Sequence, residues 1–215
     1  MDGCCTDHIK ILQDIGQLYK NLIVFEPDVD RRIAMHLRRV EKLENLPTEL
    51  NFQSYATLIR QLLFDLGDVH TDILDLRILQ KKAPDSKMGK PLSEAKLNQL
   101  TASTVNYFIR FCATFKDLKS GKIPEVLDED SRVPFFRCLM RIAHLQSKHW
   151  HKTPKDEYDS IGVTIERYNE ALKFARDNKL QSNKECAHEV KLAEEMVQLL
   201  PGKQRDVQRA FAKST

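Results

Sequence analysis

The sequence predicts an all-α fold of about seven helices followed by a short tail helix. Apolar residues recur at spacings of three and four along most of the chain, while the period-two alternation of strands is nearly absent. Only 7 glycines and 8 prolines occur in 215 residues, and most of the prolines lie between periodic segments. A chain of this length is expected to form one domain over residues 1–215, with frayed ends at residues 1–5 and 212–215.

The most strongly patterned segment is Asp28–Leu46, which predicts an amphipathic helix with a basic face. Asp28 follows Pro27 and is suited to accept hydrogen bonds from the free N–H groups of the first turn. The apolar face is predicted to hold Val29, Ile33, Leu37, Val40 and Leu43. The basic face is predicted to hold Arg31, Arg32, Arg38, Arg39 and Lys42. A solvated face with ion pairs to Glu41 and Glu44 is favoured there over a lipid or phosphate site.

The first half of the chain predicts three further helices. One runs over Thr6–Phe25, with Thr6 as its N-cap and an apolar face that holds Ile11, Ile15, Leu18, Leu22 and Phe25. A long helix runs from Phe52 to about Leu79, and another, capped by Ser93, ends near Leu118. The last two are expected to form an antiparallel hairpin around the polar loop at Ala83–Lys90.

The second half predicts three helices and the tail. Pro134 suits the first turn of one helix, and Thr153 with Pro154 suits the start of the next. Ser182 and Glu185 form a predicted capping box for the third, which Pro201 and Gly202 are expected to end. A short tail helix is predicted over Gln204–Phe211.

Composition and motifs exclude several classes of protein. The formal net charge is +3 and the charges alternate, which argues against a dedicated nucleic-acid binder. The odd set of five cysteines contains no CxxC pair, which is typical of a reduced, cytoplasmic compartment. The sequence shows no membrane-length apolar run, no signal peptide and no nucleotide-binding or catalytic motif. We therefore expect a soluble, non-enzymatic helical scaffold without a cofactor or metal.

Three glycines inside helical segments suggest repeated helix pairs. Gly16, Gly67 and Gly162 each follow an apolar residue and precede an apolar or ring residue by three positions. This spacing is the L-G-x-x-Y element of the tetratricopeptide repeat, although the intervals are irregular. A glycine inside a helix costs roughly 1 kcal/mol relative to alanine. Two explanations of this pattern remain open. The glycines belong to divergent repeats with close helix contacts, or they are three incidental glycines in ordinary helices.

The longest irregular connection, Ser120–Arg132, is acidic through Glu125, Asp128, Glu129 and Asp130. A solvated loop, a protein-binding edge and a cation site all remain open for it, although the spacing lacks the ligand pattern of an EF-hand. The histidines His144, His149 and His151 around Trp150 are interpreted as a solvated loop in preference to a metal site, since no carboxylate or thiolate stands at ligand spacing.

Three short strings of residues resemble the C-terminal region of the kinesin-binding protein family, and they occur in this chain in the same order as in the family. The first is the T-D-H-I helix start at Thr6–Ile9. The second is a paired-arginine helix, matched at Arg31, Arg32, Met35, His36, Arg38 and Arg39, with Asp30 in place of the family's acid. The third is a closing string, matched at Glu195, Met196, Val197, Leu199, Leu200 and Pro201. An APDS loop beginning at Ala83 adds to the likeness, which runs from about Asp2 to Phe211.

The resemblance implies a right-handed α-solenoid of divergent tetratricopeptide-like antiparallel helix pairs. It implies a non-enzymatic adaptor that clamps kinesin motor domains and blocks their engagement with the microtubule. Such an adaptor affects axonal growth and the transport of mitochondria and vesicles, in the cytoplasm and with the cytoskeleton. Only about the last third of a family member is matched, so the N-terminal half of the clamp is missing. The acidic residues Glu125, Asp128, Glu129 and Asp130 are our candidates for contact with the basic motor.

A rival hypothesis assigns the function to the basic helix, as a lipid or nucleic-acid binder. It requires Arg31, Arg32, Arg38 and Arg39 to be exposed together. A generic protein-interaction scaffold is the remaining alternative.

Overall fold

The computed structural model describes residues 2–82, 89–117 and 119–212, and those ranges contain helices and no strands. The all-α prediction is therefore confirmed, while the handedness and repeat character of a solenoid stay predictions. The helices are α1 (Asp2–Ile23), α2 (Val29–Leu43), the one-turn α3 (Leu46–Glu49), α4 (Phe52–Lys82), α5 (Glu94–Ala113), α6 (Glu129–Gln146), α7 (Pro154–Asp177) and α8 (Ala187–Ala212). None of the described helices is long and apolar enough to cross a membrane.

The chain divides into two compact units, Met1–Tyr107 and Phe108–Thr215. The expectation of one continuous domain with frayed ends stays a prediction, and Met1 and residues 213–215 lie outside the described ranges.

The first unit is built on α1, α2 and α4, whose buried aliphatic side chains form one core. Helices α2 and α4 run antiparallel, because Asp30 of α2 meets Gln80 of α4 while Arg39 of α2 meets Asp72. The fully buried residues of this core include Ile9, Ile33, Leu62, Leu66 and Val69.

The hairpin predicted between α4 and α5 is present within the first unit. Near the connection, Lys81 Nζ lies 3.6 Å from Glu94 Oε1. Farther along both helices, the rings of His70 and Tyr107 stack with their centroids 4.8 Å apart. Contacts in this order require antiparallel helices. The predicted polar loop falls largely on residues 83–88, which lie outside the described residues.

The predicted apolar face of α1 is wrong. Ile11, Leu18 and Leu22 are exposed, and Phe25 beyond the helix is 83% exposed. The buried side lies roughly 140° further round the helix, at 100° per residue, and contains Ile9, Gly16 and Ile23. Gly16 faces α2, and a Cβ there would lie 3.9 Å from Leu43 Cδ1, which is an ordinary van der Waals distance. Packing against α2 thus buries this face and leaves the face with more apolar residues exposed.

The second unit packs α6 against α7 and α7 against α8. An aromatic series joins the end of α5 to the two following helices. Phe115 meets Phe135 edge-on at 5.3 Å, and Phe135 meets Phe174 at 4.7 Å. Helices α7 and α8 are antiparallel, with Gln204 Nε2 donating to the carbonyl oxygen of Tyr158 at 3.0 Å.

One predicted helix end and the separate tail helix are corrected by this packing. Helix α8 continues through Pro201 and Gly202, so the predicted tail helix is its last part. Its contacts with α7 hold the segment helical, through Gln204 and through Lys203 Nζ, which lies 3.3 Å from Glu157 Oε1. A Cβ at Gly162 would lie only 3.2 Å from Gln204 Nε2, which confirms a close helix contact at that glycine.

The N-caps predicted at three helix starts are confirmed. Asp28, Ser93 and Thr153 each accept a hydrogen bond from the backbone N–H three residues later, as predicted.

Three other predicted starts are wrong. Helix α1 begins before Thr6, since one capping side chain does not stop a helix that earlier residues can continue. Helix α6 begins at Glu129, which leaves Pro134 in its interior, because Glu129 and Asp130 favour the positive end of the helix dipole. Before α8, the side chain of Asn183 accepts from the Glu185 N–H, in place of the predicted Ser182 box.

Candidate partner-binding surface

The four acidic residues singled out from the sequence form one exposed segment before and at the start of α6. We call Glu125, Asp128, Glu129 and Asp130 the acidic ledge, and all four are exposed. Asp128 is the N-cap residue of α6 and accepts a hydrogen bond from Ser131 Oγ at 3.0 Å. Glu129 and Asp130 occupy the first turn, where the helix dipole stabilises negative charge. The chain thus presents four carboxylates to solvent within six residues.

The acidic ledge is held by one buried amide from α7. Asn178 is only 2% exposed. Its Oδ1 accepts from the backbone N–H of Leu127 at 3.0 Å. Its Nδ2 donates to the carbonyl oxygens of Glu125 at 2.9 Å and Phe174 at 3.0 Å. A single side chain therefore joins the backbone of the ledge to the end of a packed helix.

The position of Asn178 follows from how α7 ends. It is the C-cap residue, and the next residue, Lys179, has a left-handed φ of 58°. The N–H of Leu180 donates to the carbonyl oxygen of Ala175 at 2.8 Å, and the N–H of Lys179 donates to that of Arg176 at 3.1 Å. This pair of bonds is the Schellman motif, which satisfies the last carbonyls of the helix through backbone groups. The Asn178 side chain is consequently left to bind the ledge.

Two further contacts stabilise the ledge backbone. The Leu127 side chain is buried, and its carbonyl oxygen accepts from Arg132 Nε at 2.8 Å. Between these fixed points, Val126 is 54% exposed beside the carboxylates. The ledge therefore combines negative charge with an exposed aliphatic side chain on a fixed backbone, and this combination suits a basic protein surface with an apolar spot.

The basic helix α2 does not present its arginines together. Arg31 and Arg38 are exposed, whereas Arg32 is half-buried and Arg39 is only 8% exposed. The requirement of the rival lipid or nucleic-acid hypothesis, four arginines exposed at once, is not met. On the other face, His36 takes a core position while Leu37 is 48% exposed, which corrects the predicted apolar face.

His36 and Arg39 instead form a buried polar contact between α2 and α4. Arg39 Nη1 donates to His36 Nδ1 at 3.1 Å, and both groups lie 3.8 Å from Asp72 Oδ2. Burial, and to a lesser extent the nearby charges of Arg39, Arg32 and Lys20, lower the pKa of His36 to about 4. The imidazole is therefore neutral at pH 7 and accepts a hydrogen bond from the guanidinium. Burial also raises the pKa of Asp72, and Arg39 opposes this shift.

Asp30, which replaces the family's acid in the paired-arginine string, ties α2 to the end of α4. Its Oδ1 accepts from Gln80 Nε2 at 2.8 Å and lies 3.7 Å from Arg77 Nη1. Gly89 lies against the same carboxylate with φ at +73°, and a Cβ there would overlap Asp30. Together with the buried His36 and Arg39, this contact indicates that the string from Asp30 to Arg39 serves the packing of the first unit.

The histidines around Trp150 do not form a cluster with other ligand side chains. His144 is exposed, while His149 and His151 are half-buried, and burial lowers the pKa of His149. Within the described ranges, no three His, Cys, Asp or Glu side chains come together as a metal site.

The residues that position the acidic ledge were missed by sequence reasoning. Asn178 lies 51 residues from Leu127 in the chain, so no local pattern connects them. An asparagine at a helix end signals a cap, but here the side chain also bonds to the distant backbone of Glu125 and Leu127.

The chain is similar to known proteins over most of its length. Residues 1–207 match the family model described as "KIF-1 binding protein C terminal". The KIF-binding protein of Danio rerio is 34% identical over 216 residues, covering 100% of this chain and 33% of that protein. The Homo sapiens protein of the same name is 33% identical over 206 residues, covering 94% of this chain and 32% of that protein.

A solved structure of similar fold agrees with the sequence comparison. The structure titled "Kinesin binding protein (KBP)" superposes with a TM-score of 0.59 at 30% identity, covering 92% of this chain and 39% of the other. The chain thus spans about a third of the length of the relatives it matches. With the family model matched almost from end to end, this chain belongs to the KIF-binding protein family, by its C-terminal region.

Proposed function

We propose that this chain binds kinesin motor domains through the acidic ledge and hinders their engagement with the microtubule. The observation that carries the proposal is the fixed, exposed set of carboxylates, Glu125 and Asp128–Asp130, in a member of the KIF-binding protein family. No catalytic step is part of the proposal. The same function places the chain with the cytoskeleton, as a regulator of microtubule-based transport, including that of mitochondria, and of axonal development.

Charge complementarity supports this assignment. A kinesin motor presents a basic surface to acidic tubulin, so a competitor for that surface gains from offering carboxylates. The ledge carries four of them, and its backbone is held by Asn178 and Arg132. A fixed set of charges loses less conformational entropy on binding than a mobile loop with the same composition.

The matched region also suggests that binding by this chain alone is weak. If the motor is clamped between two halves of a longer family protein, one half forfeits the avidity of the pair. The exposed apolar residues of α1, Ile11, Leu18 and Leu22, are a suitable surface for further helices of such a protein. We therefore expect the chain to bind a motor more tightly when it is joined to the N-terminal region of the Danio rerio relative.

The direct test compares two variants of equal net charge. In the first, Glu125→Gln, Asp128→Asn, Glu129→Gln and Asp130→Asn neutralise the ledge. In the control, Glu41, Glu44, Glu166 and Glu194, all exposed elsewhere, become glutamine. Association with a panel of purified motor domains is followed by stopped flow or biolayer interferometry at low and physiological salt. The motors' landing on microtubules is counted in parallel.

The ledge variant should associate roughly tenfold more slowly at low salt, with a smaller difference at high salt, because steering by charge is screened. The control variant should associate like the unmodified chain, and microtubule landing should recover only with the ledge variant. Equal association rates for the two variants would assign any effect to net charge and would reject the ledge. Binding of the unmodified chain to none of the motors, alone or joined to the relative's N-terminal region, would reject the function itself.

A further inference from the structure

Two buried thiols lie next to each other between α5 and α6, at a point that the proposed function does not use. Cys112 Sγ and Cys138 Sγ are 3.4 Å apart, and neither cysteine is in a disulfide. Cys138 is fully buried, and Cys112 is 8% exposed. The sequence suggests nothing of this pair, because 26 residues separate the two cysteines and neither stands in a CxxC motif.

The surrounding contacts fix the register of the two helices at the thiols. Cys138 Sγ donates to the carbonyl oxygen of Phe108, one turn before Cys112, at 3.2 Å. One turn to the other side, the rings of Phe115 and Phe135 meet at 5.3 Å. The thiols are therefore neighbours because α5 and α6 pack antiparallel around them, and not because a mobile segment brings them together.

We propose that Cys112 and Cys138 are a redox modification site, at which a peroxide converts the thiol pair into an intramolecular disulfide. Closing the 3.4 Å gap to the roughly 2.05 Å of a disulfide takes a movement of about 1.4 Å. Side-chain rotation supplies a movement of this size without separating the helices.

The reaction has two steps. Cys112, the more accessible thiol, loses its proton and attacks hydrogen peroxide as the thiolate; the O–O bond breaks, and the released hydroxide takes up that proton, which gives a sulfenic acid and one water. The Cys138 sulfur then attacks the Cys112 sulfur, the S–O bond breaks, the S–S bond forms, and a second water leaves. The two thiols are oxidised by two electrons, and the peroxide is reduced to two waters.

The burial of the two thiols determines which oxidant can reach them. A peroxide is small enough to reach a sulfur that is 8% exposed, whereas glutathione disulfide is a bulky tripeptide pair that must align three sulfurs. Burial also excludes competing external thiols, so the sulfenic acid meets Cys138 before any other partner. In a reducing compartment the resulting disulfide is transient, which is typical of redox-sensing pairs.

The cross-link closes a ring around the whole connection between α5 and α6. That ring contains the acidic ledge, since residues 125–130 lie between positions 112 and 138. A disulfide restricts the unfolded chain and should raise the melting temperature by several degrees, more than a cross-link over a shorter loop.

The test uses the full chain with Cys4 and Cys5 replaced by serine, treated with hydrogen peroxide in the folded state and then alkylated. Trypsin should release residues 111–116 and 138–141 as one cross-linked species, with a mass about 2 Da below the sum of the reduced peptides. The internal control is Cys186, which is fully buried and whose Sγ donates to the carbonyl oxygen of Leu180 at 3.7 Å. Its peptide, residues 185–191, should stay reduced.

Three results would overturn the proposal: no cross-linked peptide when Cys186 begins to oxidise, a link that involves Cys186, or over-oxidation of Cys112 without a link. The melting temperature of the oxidised chain gives a second measurement. It should rise relative to the reduced chain and fall back after a phosphine reductant is added, while the Cys112→Ser variant should show neither change. A fall in melting temperature on oxidation would contradict a disulfide that fits the native helix register.

Discussion

Asn178 Nδ2 donates to the carbonyl oxygen of Glu125 at 2.9 Å, and through this bond the end of α7 holds the acidic ledge. The same side chain accepts from the N–H of Leu127 at 3.0 Å. Both groups of the amide are thus used inside the protein, and the part of the ledge that precedes α6 has a defined backbone without being helical. The surface proposed for the kinesin motor therefore depends on a residue that is itself buried.

The first prediction concerns this amide. The Asn178→Ala change should lower the free energy of unfolding by about 1–3 kcal/mol, because the Leu127 N–H and the Glu125 carbonyl oxygen lose their hydrogen-bond partner. Asn169→Ala, at an exposed position of the same helix, is the matched control and should change little. Urea unfolding measures the difference. Hydrogen exchange should show faster opening at residues 125–128 in the variant, and unchanged exchange there would contradict the anchoring role.

The second prediction is a pH dependence from His36. The pKa of about 4 in the folded chain lies below the ordinary value of 6.5, so the unfolded chain binds a proton over that interval and the folded chain does not. Stability should therefore be full above pH 6.5 and fall as the pH drops towards 4. Between pH 7 and pH 5 the loss from this group should be about 2 kcal/mol. Burial raises the pKa values of Asp65 and Asp72, and these groups act in the opposite direction at lower pH.

The His36 contribution is isolated by substitution. His36→Gln keeps an acceptor for Arg39 Nη1 and removes the titration, so its stability should depend less on pH over this interval. His188→Gln, at an exposed position of α8, should keep the slope of the unmodified chain. Chemical denaturation at several pH values is the measurement. Identical slopes for the unmodified chain and the His36 variant would contradict the assignment.

The third prediction compares two glycines with positive φ. Gly89→Ala should destabilise the first unit by roughly 2–3 kcal/mol, because a left-handed backbone and the Asp30 carboxylate both oppose a Cβ. Gly121→Ala, with φ at +65° and open space around it, should cost only about 1–2 kcal/mol. Thermal or urea unfolding of the two variants measures the two losses of stability. Equal losses would mean that the contact with Asp30 adds nothing.

The fourth prediction concerns the left-handed backbone of Lys179 at the end of α7. Lys179→Gly should stabilise the chain by about 1 kcal/mol, since Lys179 has φ at 58° in the Schellman motif and glycine adopts that conformation without a steric cost. Lys184→Gly, at an exposed turn position, should give no gain. The melting temperatures of the two variants provide the comparison. A destabilised Lys179→Gly chain would show that the lysine side chain contributes more than its backbone strain costs.

The sequence by itself determined the features that depend on neighbours in the chain. Helical periodicity, scarce glycine and proline, and the caps at Asp28, Ser93 and Thr153 act within a turn or two, so the all-α class and those three starts were correctly predicted. The three strings that resemble the family could also be recognised from the sequence, because each consists of residues close together in the chain. The exposure of the acidic ledge agrees with its composition, while its role in binding stays a prediction.

Only the tertiary structure decided which faces are buried and which distant groups meet. Helix α1 buries the face that carries Ile9, Gly16 and Ile23, so Ile11 and Leu18 are exposed despite their apolar spacing. Helix α8 continues past Pro201 because its later turns pack on α7. Distant residues meet in three places: Arg39 with Asp72, Asn178 with Glu125 and Leu127, and Cys112 with Cys138. Such contacts arise from helix register and close packing, which local sequence patterns do not encode.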